Sequence, residues 1–203
     1  MQRYSGSPAI DQMPAVTGVY RLLARIWMRE VDDLLLRTLA EPALAKLFID
    51  AGGTLPAEND VTILEPLEVD FCQLFVGPSQ HIPTCQSVWE SGRFQAAAQD
   101  SMNEFIAALG YRVADLPTGI MHDHLSVQLD FMGHLTSLCA TSEPTVLNDL
   151  VGIGRRFFRR HLSWQEPLFD AAERKAQTPF YRSAIRMTAD FLQSERLIWA
   201  EAQ

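Results

Sequence analysis

Apolar residues recur along this chain at intervals of three and four, the spacing of a helix that buries one face. Val16, Val19, Tyr20, Leu23, Ile26 and Trp27 form the first stripe, with Arg21, Arg25 and Arg29 opposite them. That is an amphipathic helix with one side on a core and one in water. Pro14 suits its first turn, and residues 1–13 read as a loose arm. A second helix is predicted from about Val31 to Ala40. Pro42 starts a third, which stops at Gly52-Gly53. Beyond a loop at Thr54–Asn59, Leu67, Phe71, Leu74 and Phe75 sit at i, i+4, i+7 and i+8 and predict a helix that breaks at Gly77-Pro78. A Pro-punctuated loop then runs through Pro83 to an aromatic at Trp89. Phe94, Ala97, Ala98, Met102, Phe105, Ile106 and Leu109 continue helical spacing until Gly110.

Val113–Met121, with Pro117 and Gly119, reads as a linker. Asp123 suits the N-cap of a helix from His124 to Cys139 carrying Leu125, Leu129, Met132 and Leu135. Ser142-Glu143-Pro144 combines a capping residue, an acid and a proline, and predicts a helix to about Leu162. Pro167 and Pro179 allow two more, the last long. No stretch alternates strictly with period two as a half-buried strand would. The predicted fold is all-α: one helical-bundle domain over residues 1–203, of about eight to ten helices, in two lobes joined near residues 112–122.

The chain has 203 residues, 47% hydrophobic and 21% charged, with a net charge of −8. These values fit a globular protein and disfavour binding to nucleic acid or anionic membranes. No run of about 18 apolar residues is present to span a bilayer, and the first residues carry no apolar signal segment. Cys72, Cys85 and Cys139 form neither a disulfide framework nor a zinc pattern, which suits a reducing, cytoplasmic setting.

Catalytic and nucleotide-binding motifs of the GxSxG, P-loop, GxGxxG and HExxH types are absent. His122-Asp123-His124 does not converge on one ion, because adjacent helical residues diverge by about 100°, and Asp130–His134 is a lone pair. Cys72 lies between apolar neighbours and reads as a packing residue, not a nucleophile. In the run Arg155 to Arg160, the four arginines flank Phe157 and Phe158 as the wet side of an amphipathic helix. No catalytic residue, metal site or cofactor is therefore expected.

Charge is unevenly spread. Between Lys46 and Arg93 lie Asp50, Glu58, Asp60, Glu65, Glu68, Asp70 and Glu90 but no Lys or Arg. Val113 to Gly154 likewise holds Asp115, Asp123, Asp130, Glu143 and Asp149 without Lys or Arg. The remainder of the chain is net positive, so the acidity is local, as expected if both windows line an acidic concavity.

Three stretches resemble the TorD/DmsD-type chaperones, cytoplasmic proteins that mature molybdenum-containing redox enzymes exported by the twin-arginine route. The first is DFCQLFVGP with Pro83 and Ser87-Val88-Trp89. The second is Asp123-His124-Leu125 with Phe131-Met132. The third has Phe158, His161, Leu162, Trp164, Pro167 and Phe169 in an F-x-x-HL-x-W-x-x-P-x-F pattern. Phe71, Cys72 and Cys85 depart from the family's usual residues, which bears on the choice of partner. The resemblance implies an all-helical, non-enzymatic chaperone, often a homodimer, that binds the catalytic subunit of a molybdoenzyme and its twin-arginine leader. It makes Phe71, Leu74, Phe75, Gly77, Pro78, Trp89, Asp123 and His124 the signal-peptide-binding set. Two other readings are an assembly chaperone for a membrane-bound nitrate reductase subunit that recognises no leader, and a small metal- or nucleotide-binding enzyme.

Exposed ion pairs contribute only about 0–1 kcal/mol each, too little for micromolar affinity at about −8 kcal/mol. Burying several aliphatic or aromatic side chains at about 1.5–3 kcal/mol each suffices, even against about 2–5 kcal/mol for ordering a peptide. Affinity is therefore assigned to Phe71, Leu74, Phe75 and Trp89, and encounter rate and orientation to Asp123 and its acidic neighbours.

Overall fold

A computed structural model describes residues 10–56, 63–112 and 119–199. Glu58, Asp60, Asp115 and most of the expected arm and linker lie outside these. Among the described residues there are ten α-helices and no strand: α1 (Met13–Met28), α2 (Asp33–Ala40), α3 (Pro42–Asp50), α4 (Leu64–Phe71), α5 (Gln86–Ser91), α6 (Ala97–Leu109), α7 (Leu125–Thr141), α8 (Pro144–His161), α9 (Glu166–Lys175) and α10 (Pro179–Trp199). A 3-10 turn, Ile10–Gln12, leads into α1, and a π-helical turn, Cys72–Val76, extends α4.

The helices fall into two compact units. One takes residues up to Met28, Cys85–Gln165 and the chain from Leu192; the other takes Arg29–Thr84 and Glu166–Phe191. Both α6 and α7 belong to the first unit. The stretch 112–122 therefore does not join the lobes, and the chain changes unit near residues 28, 84, 165 and 191 instead.

In the first unit α1 packs along α7. Gly133 permits the approach, since a Cβ there would lie 3.1 Å from the Arg21 side chain and 3.4 Å from that of Tyr20. The hydroxyls of Thr17 and Thr136 hydrogen-bond at 2.8 Å across this contact. Gly154 on α8 leaves room for the Trp199 ring, which any Cβ would strike. The Trp199 indole and the Tyr20 hydroxyl both donate to Glu195, at 2.9 and 3.0 Å. That satisfies a buried carboxylate whose pKa is raised by desolvation. Phe105, Phe131, Phe157 and His161 close the core edge-to-face and stacked.

Phe157 and Phe158 are fully buried while Arg156 and Arg159 are exposed, so the basic run is the wet face of α8 as the spacing predicts. Phe94 departs from expectation. It is 53% exposed and precedes α6, which starts only at Ala97 after the left-handed residues Gly92 and Gln95 interrupt the helix. Ser142 is not the cap of α8 either; Glu143 occupies that place without a side-chain bond.

The second unit is built on Phe48, which stacks on Phe180 at 5.9 Å, and on Phe71, which meets Tyr181 at the same separation. Asp32 caps α2 by accepting from the Leu35 amide at 2.8 Å.

Candidate functional site

Five of the eight expected binding residues belong to the second unit. Leu67, Asp70, Phe71 and Leu74 face inward along α4 and its extension. After Phe71 the helix widens to a π turn, closed by the Gly77 amide donating to the Cys72 carbonyl at 2.7 Å. Gly77 is extended (φ −52°, ψ 158°) rather than the left-handed cap that the break suggested. Its small size still matters, because a Cβ would sit 3.2 Å from that same carbonyl. The loop folds back where the Ile82 amide donates to the Leu74 carbonyl at 2.7 Å, and Lys175 donates to the Gln80 carbonyl at 2.6 Å.

Leu74 has no exposed surface and Phe71 very little. The affinity assigned to them from sequence is corrected accordingly: an inward side chain on a packed helix supports the turn from beneath. Phe75 is half-buried, edge-on to Phe71 at 5.3 Å, while Val76 and Pro78 are exposed. Asp70 is buried and accepts from the Gln177 amide (3.1 Å), the Thr178 amide (2.7 Å) and the Thr178 hydroxyl (2.6 Å). It anchors the entry to α10, more than a hundred residues away, by holding Thr178, whose hydroxyl caps that helix by accepting from the Tyr181 amide at 3.3 Å. Cys72 is partly accessible and donates its thiol to Glu30 at 3.2 Å; that bond, with burial and the charges of Glu30 and Glu68, raises its pKa.

Trp89, Asp123 and His124 lie in the first unit, where Cys85 and His124 form an isolated antiparallel bridge. Asp123 does not cap its own helix. His124 does so, its Nδ1 accepting from the Ser126 amide at 3.1 Å. Asp123 caps α5: its carbonyl accepts from the Gln86 amide at 3.0 Å and Oδ2 from the Ser87 amide at 2.8 Å. Its other oxygen, Oδ1, is buried and has no hydrogen-bond partner among the described residues. Burial, then the Asp123 charge, pushes the Cys85 thiol up to about 12, and desolvation lowers His124 to about 4.

Gln86 is the centre of a buried polar network that sequence reasoning missed. Its Oε1 accepts from Gln128 and from His161 Nδ1, both at 2.8 Å. Its Nε2 donates to Glu90 at 2.7 Å and to the Arg160 carbonyl at 2.8 Å. A carboxamide oxygen only accepts, so His161 carries its proton on Nδ1 and Nε2 accepts from Ser101 at 3.0 Å. Burial, then the Arg160 charge, lowers this ring to about 3. Trp164 donates to Gln128 at 3.0 Å and to the His161 carbonyl at 2.9 Å. Arg160 and Glu90 form a two-pronged pair at 2.8 and 3.3 Å. The Asp-His and His-Leu-x-Trp stretches thus meet around α5, the helix that carries half-buried Trp89. No local signal marks Gln86 or Gln128, because long-range partners define both.

Among the described residues, no group of three or more His, Cys, Asp or Glu is placed to hold a metal ion. Asp130 and His134 share a face as expected, and both meet Tyr111: its hydroxyl donates to Asp130, and its ring lies 5.1 Å from that of His134. No described helix is long and apolar enough to cross a membrane.

Capped, glycine-fitted helices surround a buried glutamine–histidine network. The chain belongs to the nitrate reductase delta subunit family, whose model matches residues 35–170, and it is similar to proteins described as chaperones. It is 27% identical over 183 residues to the chaperone protein TorD of Vibrio cholerae, covering 86% of this chain and 81% of that one. It is 24% identical over 191 residues to the chaperone protein YcdY of Escherichia coli, covering 88% and 95%. An Archaeoglobus fulgidus chain assigned to redox enzyme maturation shares the fold, with a TM-score of 0.60 at 21% identity over 87% of this chain and 93% of that chain.

Proposed function

We propose that this protein is a non-enzymatic cytoplasmic chaperone for the catalytic subunit of a molybdenum-containing oxidoreductase. It binds that subunit's twin-arginine leader and holds the subunit for cofactor insertion before export. The observation that carries the reading is the break in α4. A π turn on a tightly packed base presents Phe75, Val76, Gly77 and Pro78 at the surface, within a stretch free of Lys and Arg. A preorganised apolar surface in acidic surroundings suits a segment that is both basic and apolar. Trp89 and His124 are the half-buried members of the proposed set in the first unit; Phe71, Leu74 and Asp123 act by holding the others in place.

The test is capture of partners by the tagged protein, with and without the leader of the captured subunit. Recovery of a molybdoenzyme catalytic subunit that depends on its leader supports the reading. Leader-independent recovery of a nitrate reductase catalytic subunit would favour the second reading, which the description of the matching family supports. Recovery of neither would overturn both.

A further inference from the structure

One side of α4 and its π turn packs inward through Leu67, Phe71 and Leu74, and the other is open. On the open side Glu65, Glu68, Val69, Cys72 and Val76 follow one another along the helix, with Val69 46% and Val76 60% exposed. Glu30 reaches this side, since the Cys72 thiol donates to it, and the charge of Glu68 is felt at the same sulfur. Two exposed valines are thus bordered by carboxylates, and no Lys or Arg occurs between positions 47 and 92.

We propose that this face is a docking strip for an extended client segment in which arginine stands next to a short aliphatic run. The proposal rests on the leader-binding reading above and names a surface for it outside the eight residues already considered. The aliphatic side chains lie against Val69 and Val76, removing apolar area from water. A guanidinium fits between Glu30 and Glu68, because its planar fork engages carboxylates bidentately where an ammonium acts as a point charge. An acidic peptide or an anionic membrane would be repelled by the same carboxylates.

Cys72 supplies a native reporter at the middle of the strip; Cys85 and Cys139 are buried. The experiment measures alkylation of Cys72 by a maleimide at rising concentrations of a synthetic twin-arginine leader, while anisotropy of the labelled peptide records binding. At peptide tenfold above its Kd, the proposal expects alkylation to slow about tenfold, following the unoccupied fraction. Val76→Asp and the pair Glu30→Gln with Glu68→Gln, all at accessible positions, should each weaken binding at least several-fold with helical content unchanged. Full binding with Cys72 alkylated at its free rate overturns the strip and leaves the leader reading standing. No binding of the leader by the wild-type protein overturns the leader reading and the strip with it.

Discussion

The Asp123 carboxylate accepts a hydrogen bond from the backbone amide of Ser87 at 2.8 Å, so an acid that begins one helix in sequence caps another in space. Asp70 acts one step removed, holding the Thr178 amide and hydroxyl while Thr178 caps α10. The two acids nearest the family-like stretches are therefore structural, each spent on hydrogen bonds at the start of another helix. The acidity left for a client belongs to exposed carboxylates such as Glu65 and Glu68.

Removing the Asp123 cap exposes this role. Asp123→Ala should cost about 0.5–2 kcal/mol, the usual worth of an N-cap. Asp123→Asn keeps an acceptor and should cost less. Urea unfolding of both variants checks the ordering. A residue acting mainly by surface charge would give equal, small losses and a changed salt dependence of client association.

Much of the fold was legible. Nine helix starts or stops fell near a proline, a glycine or a capping side chain, because those effects are local. The misassigned cap at Asp123 shows the limit. Asp123 and His124 are adjacent and both can cap, and only the strand-like pairing of Cys85 with His124 turns one carboxylate toward α5. Leu74 and Phe75 illustrate the same limit at the candidate site: both lie on the predicted apolar stripe, yet Leu74 has no exposed surface while Phe75 is only half-buried.

Leu74→Ala should lower stability by about 2–5 kcal/mol, as large-to-small changes do in a closed core. Val76→Asp should change it by less than about 0.5 kcal/mol, as surface substitutions do. Denaturation midpoints of the two variants test the assignment of inside and outside around the turn.

Acid should destabilise the protein through two histidines. His161 is lowered to about 3 and His124 to about 4, each chiefly by desolvation, whereas an unfolded chain protonates them near 6.5. Below pH 6.5 protons are taken up by the unfolded state first, so stability falls as pH drops from about 6.5 toward 4 and this contribution levels off near 3. Urea midpoints at pH 7 and pH 4.5 measure the slope. His161→Gln should flatten it, since a glutamine cannot take up the proton.

Gln86→Leu should be strongly destabilising despite similar volume, because it strands the donors of Gln128 and His161 in a dry interior at about 1–3 kcal/mol per unsatisfied group. The fluorescence of Trp164, which donates to Gln128 in this network, should shift at denaturant concentrations that leave the wild type folded.

The most direct measurement is calorimetric titration of the full-length protein with the twin-arginine leader of its client at low ionic strength. Saturable binding in the micromolar range, weakened by salt and by Val76→Asp, is the predicted result. An absence of heat, together with a failure of the leader to displace the client subunit, would contradict the account.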